Sequence, residues 1–370
     1  MKASLGIRSI LTGVVGLGLT CLLLPSTVMA MAGQCSNCHT MHNSQDGGEV
    51  SADAGDRLLN FGTCIGCHSG DNVGGAGVVP YVMSSGGDPG TNYLAGGNFY
   101  WVSQAGATAD TKGHNVASVK VGQDANIASF TPPGWDGGAA WTTQLKCAGE
   151  FGCHGDKTDA TGNNFSAMSG SHHGNVGGSL KTADTIGNSF RFLEGIYGYE
   201  GTHFEYQGDV SATQHNQYYA IDRAGDANEA DSDTHTISSL CAQCHGKFHN
   251  DANGGNITDQ ATVTGPWVRH PTDYDMDNVR TKEYGSYGGA TNAYTPLAPV
   301  GSDATAVLST VTLDGSNADN AIVMCISCHR AHGSPYPDLL RWSYSQMTVG
   351  QSGAGKGSGC FICHTTKDAP

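Results

Sequence analysis

Six pairs of cysteines in this chain are each followed at once by a histidine. They are Cys35, Cys38 and His39; Cys64, Cys67 and His68; Cys147, Cys153 and His154; Cys241, Cys244 and His245; Cys325, Cys328 and His329; and Cys360, Cys363 and His364. Five pairs enclose two residues and the third encloses five. Two thiols at that spacing can add to the two vinyl groups of one porphyrin, and the adjoining imidazole is placed to bind its iron. Histidine is only 16 of 370 residues, so six such closures do not arise by accident. The pattern implies six covalently attached haem c groups, with those six histidines as proximal iron ligands. A zinc ribbon would use two cysteine pairs per metal and no systematic histidine. A disulfide framework suits a much shorter secreted chain, and a thioredoxin-like pair would be single and set in a βαβ pattern.

The third motif, Cys147-Ala-Gly-Glu-Phe-Gly-Cys153, must reach the same two vinyl positions with three additional residues. Gly149 and Gly152 allow the surplus backbone to bulge outward. Attachment through Cys153 alone, with Cys147 free, is the alternative.

Ten histidines remain for the distal side: His42, His114, His172, His173, His203, His215, His235, His249, His270 and His332. Six hexacoordinate irons need six of them. Bis-histidine ligation lacks the methionine that raises potential in small cytochromes c, so low potentials follow. His42, His249 and His332 lie three or four residues beyond a proximal histidine. On a helix those offsets put both imidazoles on one face, from which the second cannot reach the far side of the same porphyrin. Each must therefore serve a different haem, which draws haems together. His114 and His270 stand on loops far from any motif and are recruited by the count. One of the adjacent His172 and His173 is expected to ligate, with His173 favoured. His203, His215 and His235 read as spares, and Met41, Met83 and Met168 suit ordinary packing.

The elements that must position these groups are sparse. Glycine supplies 54 residues, roughly twice the usual ~7%. Segments such as 70–97 and 251–265 have turn composition with neither helical nor strand period. Interspersed aromatics (Tyr93, Phe99, Trp101, Trp135, Trp141, Tyr197 and Tyr199) suggest order by packing on porphyrin edges. At one haem per roughly 57 residues, no haem can have an independent core. The expected fold is a multihaem cytochrome c: loop-rich, almost without strand, with few short helices around a continuous stack of six covalently bound haems. Helices are expected around the motifs, for example over 237–249 and 321–332.

Residues 1–32 read as a secretory signal peptide, with Lys2 and Arg8 before an apolar run and cleavage after Ala30 or Ala32. Residues 33–370 form a single six-haem body. Cys21 lies in the apolar run and is discarded with it. Beyond residue 32 no stretch is long and apolar enough to span a membrane. The formal charge is −15, two units more negative without Lys2 and Arg8. That sign disfavours nucleic-acid binding and favours solubility.

Several flanks carry a resemblance. Cys35-Ser-Asn-Cys-His-Thr-Met-His-Asn-Ser44, Lys112-Gly-His-Asn-Val116, Cys241-Ala-Gln-Cys-His245 with Phe248-His-Asn250, Val268-Arg-His-Pro271 and Cys325-Ile-Ser-Cys-His-Arg-Ala-His332 resemble the six-haem outer-surface cytochrome S family of metal-reducing bacteria. Gly96-Gly-Asn-Phe-Tyr-Trp-Val102 and Phe190-Arg-Phe-Leu193 are similar too, so the likeness runs in patches from residue 34 to the end. It implies bis-histidine ligation throughout, a mostly coil fold, and polymerisation into extracellular conducting filaments. It also implies that His42 leaves its own subunit to ligate a haem of the next one, the fifth. The other distal ligands would be His114, His249, His270 and His332, plus one near the third site. This chain departs in its expanded third motif, in lacking a histidine just after it, and in a short segment between the fifth and sixth haems.

The function expected is extracellular electron transfer by a non-enzymatic homopolymer. Periplasmic or outer-membrane cytochromes would donate, and metal oxides, electrodes or other cells would accept. The alternatives are a soluble periplasmic shuttle and a multihaem reductase with one open iron.

Overall fold

The computed structural model describes residues 38–40, 44–45, 48–49, 62–75, 79–162, 164–169, 180–182, 185–201, 203–209, 211, 213–222, 234–249, 270–281, 285–288, 291–303, 309–316, 320–347 and 359–365. The leader, Cys35, His42, His172, His173 and the 251–265 segment lie outside the described residues. Among those described, the chain is loop-rich. Six α-helices occur in chain order: α1 Cys64–His68, α2 Tyr100–Ser103, α3 Ala107–Asp110, α4 Asn164–Ala167, α5 Ile237–His249 and α6 Cys325–Cys328. Only α5, at 13 residues, exceeds five. Every strand is two residues long, and the largest sheet joins Leu180–Lys181, Gly198–Tyr199 and Gln217–Tyr218.

The expected helix over 237–249 is present, bent at His245 where φ is −118° and ψ 41°. The one expected over 321–332 shrinks to the four residues of α6. Before it, Ile322–Val323 pairs antiparallel with Tyr274–Asp275. After it, His329 turns extended (φ −108°, ψ 158°) and bridges to Leu340. Apolar β-branched residues ahead of Cys325 and the pull of tertiary pairing outweigh helical propensity there. His329 and His332 are thus separated by extended chain, not by a helical turn.

Three apolar clusters make up the core, and each has motif cysteines at its edge. Phe190, Leu193, Ile196, Ile237, Leu240, Ile322 and Ile326 belong to one cluster, with Cys153 against it. Tyr287, Tyr294, Val300, Trp342 and Ile362 belong to the second, beside Cys328, Cys360 and Cys363. Phe99, Val102 and Val116 form the third, beside Cys147. The protein's own apolar surface is gathered where the cysteines converge, so a porphyrin attached there extends these clusters.

Candidate haem-binding site

The third, fifth and sixth motifs share one backbone closure. In the fifth, His329 N–H donates to Cys325 C=O at 3.1 Å, and in the sixth His364 N–H donates to Cys360 C=O at 2.9 Å. The third reproduces it despite its length: His154 N–H donates to Cys147 C=O at 3.0 Å. The surplus residues fold outward in a turn, with Gly152 N–H on Gly149 C=O at 2.9 Å and Lys146 N–H on Phe151 C=O at 2.7 Å. Gly149 sits at φ +86°, and a Cβ on Gly152 would lie 2.5 Å from the Ala148 carbonyl carbon. Both glycines are required by the bulge, which returns Cys153 to the place a regular spacing would give it.

Successive motifs lie close together. Cys67 neighbours Cys38, Cys64 neighbours Cys147, and Cys241 neighbours Cys325, each near enough to shift the other's thiol. Cys153 lies within electrostatic reach of Cys241 and Cys244, and Cys328 within that of Cys360 and Cys363. Motifs adjacent in the chain are thus neighbours in space, from the first to the sixth.

The proximal imidazoles are held by backbone carbonyls. His68 Nδ1 bonds Pro80 C=O at 2.9 Å, His154 Nδ1 Arg191 C=O at 3.0 Å, His245 Nδ1 Pro133 C=O at 2.7 Å, and His329 Nδ1 Asp338 C=O at 2.6 Å. A ring that donates from Nδ1 presents its Nε2 lone pair, the atom an iron binds. Burial keeps these rings neutral, as ligands must be, pushing His154 and His245 down to about 4 and lowering His68 as well. The carbonyl bonds oppose that shift without overcoming it.

Motifs three and five use the same strained device. Arg191 and Phe192 (φ 52° and 59°) and Asp338 and Leu339 (φ 57° and 56°) are consecutive left-handed residues. Each pair offers one carbonyl to the histidine and the next to the amide after it: Gly155 N–H on Phe192 C=O at 2.9 Å, and Arg330 N–H on Leu339 C=O at 2.8 Å. Left-handed conformation costs about 1–2 kcal/mol per non-glycine residue, so surrounding contacts must hold it. Around Arg191 these are its N–H on Glu200 Oε1 at 2.6 Å and its Nη2 on Asn216 Oδ1 at 2.9 Å. Pro80, Pro133, Arg191 and Asp338 act through main-chain oxygens, which no residue pattern announces.

Across from three motif histidines stand other imidazoles. The ring centroids of His154 and His332 are 6.3 Å apart, those of His114 and His245 6.2 Å, and those of His270 and His364 6.3 Å. A metal–imidazole bond of about 2.0 Å and a nitrogen-to-centroid distance of about 1.15 Å put two trans imidazoles about 6.3 Å apart across one metal. At these separations each pair could hold one iron between its rings, were haem bound there. His114 and His270 repeat the Nδ1 anchorage, on Ala331 C=O at 2.7 Å and Pro271 C=O at 2.9 Å. His332 is lowered to about 3 by burial, first, and by its neighbours His154, His114 and His68.

Loop 331–333 serves two of these pairs. It carries His332, and its carbonyls receive the His114 ring at Ala331 and the His114 N–H at His332, 3.3 Å. Its close packing needs glycine: a Cβ on Gly97 (φ +86°) would lie 1.9 Å from Gly333 O, and one on Gly113 2.7 Å from His332 O.

His249 is placed differently. Its Nε2 donates to Asp273 Oδ2 at 3.0 Å, with both side chains buried, and Thr236 Oγ1 donates to the same oxygen at 3.1 Å. No described imidazole stands opposite His329 at the spacing of the three pairs. Among the described residues, no group of three or more histidine, cysteine or carboxylate side chains is arranged to hold a bare metal ion. Paired thiols beside a neutral, anchored imidazole fit a porphyrin's iron.

Known proteins place the chain. A family described as "Doubled CXXCH motif" matches residues 318–369, which hold the fifth and sixth motifs. The "C-type cytochrome OmcS" of Geobacter sulfurreducens is 26% identical over 358 residues, covering 84% of this chain and 78% of that protein. Two solved structures are similar. The OmcS nanowires of Geobacter sulfurreducens give a TM-score of 0.45 at 21% identity, covering 92% of this chain and 93% of that one. The Outer Membrane Cytochrome S filament of the same organism gives 0.43 at 22% identity, covering 84% of each. With its Cys-x-x-Cys-His repeats and a relative matched along most of both lengths, this chain is similar to the c-type cytochrome OmcS, and its motifs support covalently bound c-type haem.

Proposed function

We propose that this chain is a conduit for extracellular electron transfer, carrying six bis-histidine haem c groups and polymerising head to tail. The supporting observation is the set of imidazole pairs at 6.2 to 6.3 Å along a succession of neighbouring motifs. Bound haem supplies one-electron chemistry; the protein supplies ligands, spacing and a low-dielectric surround. The proximal set is His39, His68, His154, His245, His329 and His364. His332, His114 and His270 take the far side of the third, fourth and sixth irons.

The fifth site supports polymerisation. No described imidazole faces His329, and the sequence resemblance assigns its distal place to His42 of a neighbouring copy. A contact that does not close on itself builds a filament, and a shared iron ligand would make it strong. The relative OmcS is described in solved structures as nanowires. Export by the N-terminal signal fits this destination, and no described helix is long and apolar enough to cross a membrane.

Mass spectrometry of the purified native protein should find six haems, and negative-stain microscopy of the extracellular fraction should find filaments. His42→Ala should keep six haems and abolish the filaments. Dispersed particles of the native protein would favour a soluble shuttle, and carbon monoxide binding to them at native pH would point to a reductase with an open iron. Filaments of normal length from His42→Ala would remove the bridging role.

A further inference from the structure

We infer that Arg330 and Arg341 raise the reduction potential of the haem held by the fifth motif. The inference rests on the multihaem reading above and adds two residues that tune one of its irons.

Both side chains are buried, Arg330 at 2% exposed and Arg341 at 5%. A guanidinium keeps its proton under ordinary conditions, so each places a full positive charge inside the protein. A buried ion is usually paired, because leaving it without a counter-charge is strongly unfavourable. Here the partners are neutral. Arg341 Nε donates to Ile326 C=O at 2.6 Å and its Nη1 to Pro296 C=O at 3.1 Å. Arg330 Nη1 donates to Ala95 C=O at 2.9 Å and its Nη2 to Gln207 Oε1 at 3.0 Å, while its guanidinium lies 4.8 Å from the Tyr93 ring centroid. Arg330 Nε is buried without a partner. Among the described residues, no ion pair joins either arginine to a carboxylate.

Both lie against the fifth motif. Ile326 stands between Cys325 and Cys328, so the Arg341 guanidinium holds the loop that joins the two attachment points. The Arg341 N–H donates to Cys328 C=O at 2.9 Å. Arg330 follows His329 directly, and its N–H is held by Leu339 C=O, next to the Asp338 C=O that anchors the His329 ring. Burial raises the Cys328 thiol to about 12, and the Arg341 charge pulls against it. Burial lowers the His329 ring, and Arg341 adds to that. Two carboxylates act in the other direction. Asp338 favours a charged His329 from an exposed position, where solvent screens it, and buried Glu205 acts on Arg330 without bonding to it.

The third motif supplies the contrast. Arg191, whose C=O anchors the His154 ring, is lowered by burial, but two buried carboxylates, Glu200 and Glu205, oppose that and balance its charge. The fifth motif has two cations and no such balance. Ferric haem between two neutral imidazoles carries one more positive charge than ferrous haem. A fixed cation in a low-dielectric surround therefore disfavours the ferric state and favours uptake of an electron. The fifth haem then holds an electron more readily than it would without the two arginines.

The test is spectroelectrochemical titration of Arg341→Gln and Arg330→Gln beside Arg341→Lys and Arg330→Lys, with haems counted by mass spectrometry. Each glutamine variant should keep six haems and move one component of the titration to lower potential. Each lysine variant keeps the charge and should stay near the native curve. In protein that lacks the fifth haem, through Cys325→Ala with Cys328→Ala, adding Arg341→Gln should leave the remaining curve unchanged. Native potentials in both glutamine variants would overturn the inference. So would equal shifts in the glutamine and lysine variants, which mark a structural role, or a shift that persists without the fifth haem. Should Arg341→Gln not accumulate, Arg330→Gln and Arg330→Lys answer the same question. A native protein without six haems would instead sink the multihaem reading.

Discussion

The third and fifth motifs differ in sequence as much as any two in the chain, yet their proximal sides are built alike. One encloses five residues between its cysteines, the other two. In both, the histidine N–H closes on the first cysteine's carbonyl, and a left-handed pair, Arg191–Phe192 or Asp338–Leu339, presents two carbonyls to the histidine ring and the next amide. Their distal sides part company. His154 faces His332 at 6.3 Å from within the same chain. His329 faces no described imidazole at that spacing. The backbone closure of a motif is thus a local affair that tolerates an insertion, whereas what faces its histidine is a tertiary decision.

The strongest attack on the third site is at its loop. Gly97→Ala would force a Cβ to within 1.9 Å of Gly333 O at a positive φ. Overpacking and backbone strain together should cost on the order of 3 kcal/mol. Because loop 331–333 carries His332 and anchors His114, two haems should become high-spin together, read by magnetic circular dichroism, while six remain attached. A single high-spin haem would mean that the two distal ligands are held independently.

His332→Ala is the narrower cut. One iron of six, at the third motif, should become high-spin and bind carbon monoxide when reduced, and the fifth should be unaffected. An unchanged spectrum would mean that the 6.3 Å pair is not a ligand pair.

Deleting Glu150, Phe151 and Gly152 makes the third motif regular and tests whether the bulge is incidental. Haem attachment at Cys147 and Cys153, followed by peptide mass spectrometry, should persist with little change in thermal stability. Loss of the haem would show that the bulge is recognised during attachment.

The smallest effect is a pH dependence beside the loop. Burial by itself would raise the Asp110 carboxyl, but hydrogen bonds from Lys120, from the Ala125 amide at 3.0 Å and from Asn115 at 3.3 Å outweigh it and hold it below the usual range. A carboxyl lowered in the folded state stabilises above its unfolded value of 3.8 and loses that contribution as pH falls through the folded one. Asp110→Asn should therefore cost about 1–2 kcal/mol near neutral pH and progressively less in acid. Denaturation curves at several pH values would show the difference shrinking, and a constant gap would contradict the assignment.

Much of this was legible in the residues, and the boundary has a physical cause. Covalent chemistry is carried by side-chain type at fixed short spacing, so six candidate motifs and their adjoining histidines could be read directly, and Gly149 and Gly152 turn the expanded one as expected. A loop-rich fold followed from glycine content and the scarcity of apolar periodicity, and α5 appeared where expected. The helix over 321–332 did not, because Ile322–Val323 finds a strand partner in Tyr274–Asp275. A spacing argument placed His332 away from its own haem. The structure sets it opposite His154 by a route the spacing did not contain, since extended chain rather than a helical turn separates it from His329.

The sequence alone determined which atoms are available: twelve thiols in pairs, six adjoining imidazoles and a surplus of further histidines. Only the tertiary structure decided which imidazole faces which. Facing imidazoles come from residues remote in the chain, such as His114, whose ring is held by a carbonyl 217 residues away. It also decided tautomer and neutrality, because these depend on main-chain oxygens and burial that no single residue encodes. Local bonding fixes what can be attached; packing fixes what stands across from it.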